Sequence, residues 1–172
     1  MTKRDILIIP DRSLRKVCDP VEKVTGRVRQ TVDDMLETMY AAPGIGLAAS
    51  QVGIMERFFV LDVSKDEEPN APMIFINPKI VWSSEEKSVY NEGCLSIPEY
   101  YEEVERPARI RVEYLDRDGA ERELEADGIL ATCIQHEYDH LDGKLFIDYI
   151  SKLKRERVMK KFTKQARLSE RA

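Results

Sequence analysis

The sequence predicts an α+β fold, and three observations predict it. A helix-period segment lies near the N-terminus, strand-like patterns fill the middle, and two further helical segments close the chain. With 172 residues, 42% apolar and 34% charged, the composition suits one globular domain over 1–172.

The elements follow in order. In MTKRDILIIPD the run ILII reads as a short strand, and Asp11 and Arg12 end it too early for a secretory signal. GRVRQTVDDMLETMYAAPG (26–44) has apolar residues at Val28, Val32, Met35, Leu36, Met39 and Tyr40, a helical spacing closed by Pro43-Gly44. GIGLAASQVG (44–53) is too rich in small residues for ordinary core. RFFVLDV (57–63) and MIFINP (73–78) read as buried strands, with SKDEEPNAP an exposed loop between them. RIRVEYLD and ERELEAD alternate on either side of the turn signal DRDG (116–119), which predicts a hairpin. Asp127 is placed to cap a helix running to about Leu141, with Gly143 as its stop. A last helix starts near Ser151.

No apolar run reaches the length of a membrane span. Three cysteines, Cys18, Cys94 and Cys133, are odd in number and far apart, which argues against a disulfide framework and suits a reducing cytoplasm. Net charge is −5, yet residues 151–172 carry nine Lys and Arg against two Glu, a local +7 that leaves −12 on the rest. Such asymmetry points either to an anionic partner or to a solvated helix face.

The chemistry concentrates in QHEYDHLDGKLF (135–146). On a helix His136 and His140 share one face, with about 6 Å of rise between them. Glu137 is turned about 100° away, beside an ion rather than on it. The chain has only these two histidines, and this pattern arises by chance about once in eight hundred such sequences, so a metal site is the better reading. A tetrahedral ion with one open position needs a third protein ligand. Phe146 stands where one class of metalloprotease has a third histidine. Glu156 and Glu170 sit in the basic terminal segment and read as solvated charges. Cys133 lies on the helix face but about 10 Å from His140 along the axis, so it reads as a small apolar residue near the site. Cys18 has no site-like neighbours, whereas Cys94 lies in NEGCLSIP, between Gly93 and Pro98. Spacing favours Cys94 without fixing it.

Three rival readings are weaker. GIGLAA fits G-x-G-x-x-A, but a helical segment precedes it rather than a strand, so a dinucleotide site is disfavoured. A general HExxH endopeptidase lacks a third ligand unless Cys94 supplies it. An RNA-binding module with a structural zinc would need four protein ligands, and three are in view.

GIGLAASQVG (44–53), EGCLSIP (92–98) and QHEYDHLDG (135–143) resemble, in order and separation, the three signature motifs of peptide deformylases. The resemblance extends over essentially the whole chain, including ELEADG before the helix and KLFIDYIS after it. It implies antiparallel β-sheets around a central HExxH helix, with N-terminal and C-terminal helices. It implies removal of the formyl group from the N-terminal formyl-methionine of new proteins, with formate as product. By resemblance Cys94 is the third metal ligand beside His136 and His140, and water takes the fourth position. Glu137 is then the general base and acid, the Gln51 amide and the Leu95 N–H stabilise the oxyanion, and Glu92 supports the ligand shell. Ile45, Tyr90, Leu95, Ile129 and Cys133 match pocket positions, while Gly46 and Gly93 leave bare backbone on either side of the cleft for an extended peptide. The resemblance implies Fe²⁺ as the native ion, with Zn²⁺, Ni²⁺ or Co²⁺ as substitutes. It also implies contact of the basic helix 151–167 with ribosomal RNA, and no membrane. One departure stands out: many bacterial members have a basic residue where this chain has Tyr101.

Overall fold

The computed structural model describes residues 2–171. The described residues form three α-helices, α1 (Gly26–Ala41), α2 (Gly128–Leu141) and α3 (Lys152–Glu170). They also form seven strands: β1 (Gly46–Ala48), β2 (Phe58–Leu61), β3 (Met73–Ser83), β4 (Lys87–Cys94), β5 (Ile97–Pro107), β6 (Arg109–Leu115) and β7 (Glu121–Asp127). A five-stranded sheet runs in the order β1-β2-β3-β6-β7, and β4 pairs with β5 in a separate ribbon. Every pairing among these seven strands is antiparallel. The expected α+β architecture and the hairpin at 116–119 are both present.

The wholly buried strand β2 explains how the layers stack. Its side chains alternate between faces. Phe58 and Val60 pack with Val28, Val32, Met35 and Met39 of α1. Phe59 and Leu61 pack with Ala131, Ile134 and Leu141 of α2. The sheet is therefore covered on both faces, which is why RFFVLDV reads as a continuous apolar run. Each such Phe or Leu side chain contributes roughly 1.5–3 kcal/mol by leaving water. A third cluster joins the ribbon (Ile97, Val104) to Leu145, Phe146 and Ile147 and to Val158 and Phe162 of α3. The apolar stripe of the basic helix is thus spent on the fold, while its charges stay outside.

Two local expectations are corrected. Residues 6–9 are not in a strand: Leu7 N–H donates to Gln51 O at 2.7 Å and Ile9 N–H to Ser96 O at 3.0 Å, so a short helical turn and the ribbon turn take up these main-chain bonds. Asp127 does occupy the N-cap position of α2, but its side chain makes no capping hydrogen bond. At the other end Gly143 stops the helix with φ +74°, and a side chain there would collide with the Arg15 carbonyl.

Candidate active site

The helix α2 runs between the five-stranded sheet and the β4–β5 ribbon, and it presents His136 and His140 toward the end of β4. There the ribbon makes a tight reversal: Cys94 pairs with Ile97, leaving Leu95 and Ser96 at the turn. This reversal brings Cys94 to the helix. Donor atoms of Cys94, His136 and His140 all lie within 4.8 Å of one another, and Cys94 Sγ is 3.4 Å from His140 Nε2. One thiol and two imidazoles at such separations suit a single small divalent cation with a further position open. Phe146, which takes the place of a third histidine, stacks on the His136 ring at 5.8 Å between centroids.

The two histidines have different surroundings. His136 Nδ1 is 2.9 Å from Glu92 Oε1. Arg106 grips Glu92 through Nε at 2.7 Å and a second guanidinium nitrogen at 2.9 Å, and donates its remaining arm to Asp139 at 2.8 Å. Tyr149 O–H also donates to Asp139, at 2.7 Å, and its ring lies 4.7 Å from the guanidinium. Burial pushes Glu92 up, but His136 and Arg106 outweigh it and hold the carboxyl below the usual carboxylate range. Burial disfavours a charged His136 ring, yet Cys94 and Glu92 hold its pKa well above the usual value. A neutral ring donating Nδ1–H to Glu92 would turn Nε2 toward a cation. Burial, and then the positive charges nearby, push His140 well below its usual pKa, which keeps it neutral and fit to ligate.

Glu137 is 3% exposed, and its Oε2 has no hydrogen-bond partner. Its Oε1 is 3.8 Å from His136 Nε2. Burial raises its carboxyl to about 7, with Glu92 adding to the rise and His136 opposing it. Such a group takes and returns protons near neutral pH. Gly46 lets the opposite wall come this close: a Cβ there would stand 3.0 Å from Glu137 Oε1 and 3.1 Å from Cys133 Sγ. Burial pushes the Cys133 thiol well up, so it is a neutral wall rather than a ligand.

A cleft of about 730 Å³ opens over this centre. Ile45, Gly46, Gln51, Tyr90, Glu92, Gly93, Cys94, Leu95, Ile129, Cys133, His136 and Glu137 all line it. His140, 1% exposed, sits behind them. Every residue singled out from the sequence is therefore in the cleft or directly beneath it. Tyr101 lies on the rim, 63% exposed, with its ring against Gly93, where a Cβ would collide with it.

Sequence reasoning missed Arg106, Asp139, Tyr149, Ser96 and the cleft-lining residues Ile6 and Ile8. For Arg106 a signal was available. It is two residues from Val104 in β5, on the same inward face, and a buried arginine requires acidic partners.

The comparisons agree with the geometry. The family profile described as Polypeptide deformylase matches residues 3–156. A peptide deformylase of Rhizobium meliloti (strain 1021) is 62% identical over 167 residues, covering 97% of this chain and 96% of that protein. One from Bradyrhizobium sp. (strain ORS 278) is 63% identical over 171 residues, covering 97% and 98%. The crystal structure of peptide deformylase from Ehrlichia chaffeensis in complex with actinonin superposes with a TM-score of 0.91 at 46% identity, covering 96% of this chain and 98% of that one. Family profile, curated relatives and solved structure agree along nearly the whole chain, and this protein belongs to the peptide deformylase family of enzymes.

Proposed function

We propose that the chain hydrolyses the formamide at the N-terminus of formyl-methionyl peptides, yielding formate and a free α-amine. The observation that carries this reading is the juxtaposition of Cys94, His136 and His140 with a buried carboxylate, Glu137, whose Oε2 is unpartnered. Cys94, His136 and His140 would hold a divalent cation, whose Lewis acidity would polarise a carbonyl and make water a nucleophile near neutral pH. Glu137 takes a proton from the attacking water as its oxygen bonds to the formyl carbon. It returns that proton to the amine nitrogen as the C–N bond breaks. The Gln51 Nε2–H and Leu95 N–H stabilise the charge that develops on the formyl oxygen. Glu92 orients His136.

Ile45, Tyr90, Leu95, Ile129 and Cys133 form the pocket for the methionine side chain. Gly46 and Gly93 offer main chain for an extended peptide to pair with as an added strand, which reads the first residue and tolerates later ones. The rim phenol of Tyr101 contributes no positive charge to the downstream carbonyls. The test is formate release from a formyl-Met tripeptide, measured against cleavage of internal bonds in an unformylated peptide. Internal cleavage without formate would overturn the reading.

Iron(II) is the native ion, and zinc, nickel or cobalt replace it. Anaerobic purification should then give higher specific activity than aerobic purification. Equal activity with a full zinc complement in both preparations counts against iron.

The substrate emerges in the cytoplasm on ribosomes, and the exposed Lys160, Lys161 and Lys164 of α3 suit a phosphate backbone. Reversing these three charges should weaken co-sedimentation with ribosomes and flatten its salt dependence. It is a better test than deleting α3, because Val158 and Phe162 belong to the core.

A further inference from the structure

We propose that Ser96 is the positioning residue for Gln51: its hydroxyl sets the side-chain amide so that one Nε2 hydrogen faces the cleft. The inference deepens the reading above, in which Gln51 stabilises the developing oxyanion.

A carboxamide has an acceptor end and a donor end, and only its hydrogen bonds say which is which. For Gln51 they leave no choice. The Ala48 backbone N–H, 2.9 Å away, can only donate, so the atom facing it is Oε1. Nε2 then lies on the other side, 3.0 Å from Ser96 Oγ, which accepts one of its two hydrogens. The second hydrogen points toward Cys94 Sγ at 3.5 Å, on the side of the amide that lines the cleft. Ala48 fixes one end of the amide plane and Ser96 the other. Without Ser96 Oγ the donor end keeps only the longer contact to Cys94 Sγ, and the second hydrogen is no longer fixed in direction.

The main chain holds the same two residues a second time. Leu7 N–H donates to Gln51 O and Ile9 N–H to Ser96 O, so one extended strap clasps the short helical turn (49–52) that carries Gln51 and the ribbon turn that carries Ser96. Gln51 and Ser96 are both 0% exposed, so the hydrogen bond between them is shielded from water. Ser96 touches neither the ligand donors nor Glu137 by any hydrogen bond, so its effect passes through Gln51.

The experiment is a double-mutant cycle on the metal-loaded enzyme with a formyl-Met tripeptide. Removing a well-placed oxyanion donor lowers kcat by about 10²–10³-fold, so Gln51→Ala should fall in that range. Ser96→Ala should lower kcat about tenfold, with KM and metal content unchanged, and Ser96→Thr, which keeps the hydroxyl, should recover most of the loss. In the Gln51→Ala background, Ser96→Ala should cost less than threefold. Equal losses in both backgrounds, or a loss that Ser96→Thr does not recover, overturn the proposal.

A second measurement stands apart from turnover. In the zinc-loaded protein the Gln51 side-chain amide protons, read by NMR, should exchange faster with solvent in Ser96→Ala than in the unsubstituted enzyme. Unchanged exchange overturns the positioning role. If Gln51→Ala keeps full kcat while exchange in Ser96→Ala still rises, the oxyanion role of Gln51 fails and the positioning by Ser96 stands.

Discussion

The two sides of α2 are held by different physics. Toward the five-stranded sheet, Ala131, Ile134 and Leu141 meet Phe59, Leu61, Phe75, Ile110 and Val112 in an apolar interface. Toward the ribbon, His136 and Asp139 meet a buried chain of charges, Glu92 and Arg106, closed off by Tyr149. Apolar contact is non-directional and tolerates small shifts, whereas each hydrogen bond of the charged chain fixes an angle. A buried ion pair is weak evidence for stability, because desolvation offsets its Coulomb gain. The charged chain therefore adds little net stability over an apolar replacement, and what it supplies is the orientation of a ring that must meet an ion.

The largest expected effect lies where the two sides meet. Glu137→Ala should lower kcat by about 10³-fold or more while retaining the metal, since Glu137 stands beside the ligands and not among them. Metal analysis and formate release on the same preparation check this. Metal loss along with activity would make Glu137 part of the holding shell and blur the comparison.

Arg106→Ala attacks the charged side alone. It leaves Glu92 buried without its cation, which should cost about 3–5 kcal/mol of stability. With Glu92 no longer fixed, metal affinity should fall about 10–100-fold in a chelator competition. Phe75→Ala attacks the other side. Phe75 is fully buried and stacks on Phe59 at 4.9 Å, so the stability loss should again be about 3–5 kcal/mol. Here metal affinity should stay within about twofold at a temperature where the variant is folded. The pair matches in stability and separates in affinity. Equal affinity losses would show that the two sides are mechanically coupled and the comparison false.

What could be read from the chain divides along the same line. The apolar side follows local rules: the period of α1, the run in β2 and the alternation in β6 and β7 are visible in windows of a few residues. Two of the ligands were visible for another reason, since His136 and His140 fall four apart on one helix face, whereas Cys94 was fixed only by the family resemblance. On the charged side only Glu92 came with the family resemblance, whereas Arg106 and Asp139 are far from it in sequence and meet it only in the folded chain. Ser96 escaped for the same reason, as its partner Gln51 lies 45 residues away. The misread strand at 6–9 shows the limit of composition. A short apolar run signals an extended segment, and the partners of its N–H groups were a short helical turn and the ribbon turn rather than a neighbouring strand.

The smallest expected effect tests where the charged side ends. Beyond α2, Arg15 donates to Asp148 at 2.7 and 3.0 Å and to the Gly143 carbonyl at 3.3 Å, tying the helix terminus to the short helical turn at 146–149. Burial pushes Asp148 up, but the Arg15 hydrogen bonds and the Leu145 N–H prevail and hold its carboxyl below the ordinary 3.8. A carboxyl depressed on folding contributes its stability in full above the ordinary value and loses it as pH falls through the folded one. Both side chains remain partly in water, so Asp148→Asn should cost only about 1 kcal/mol at pH 7. The gap in unfolding free energy between the two proteins should close as pH drops below 3.8, and denaturant titrations at pH 7, 4 and 3 would follow it. Metal affinity at pH 7 should not change. A gap as wide at pH 3 as at pH 7 would assign the effect to packing and place Asp148 on the apolar side of the comparison.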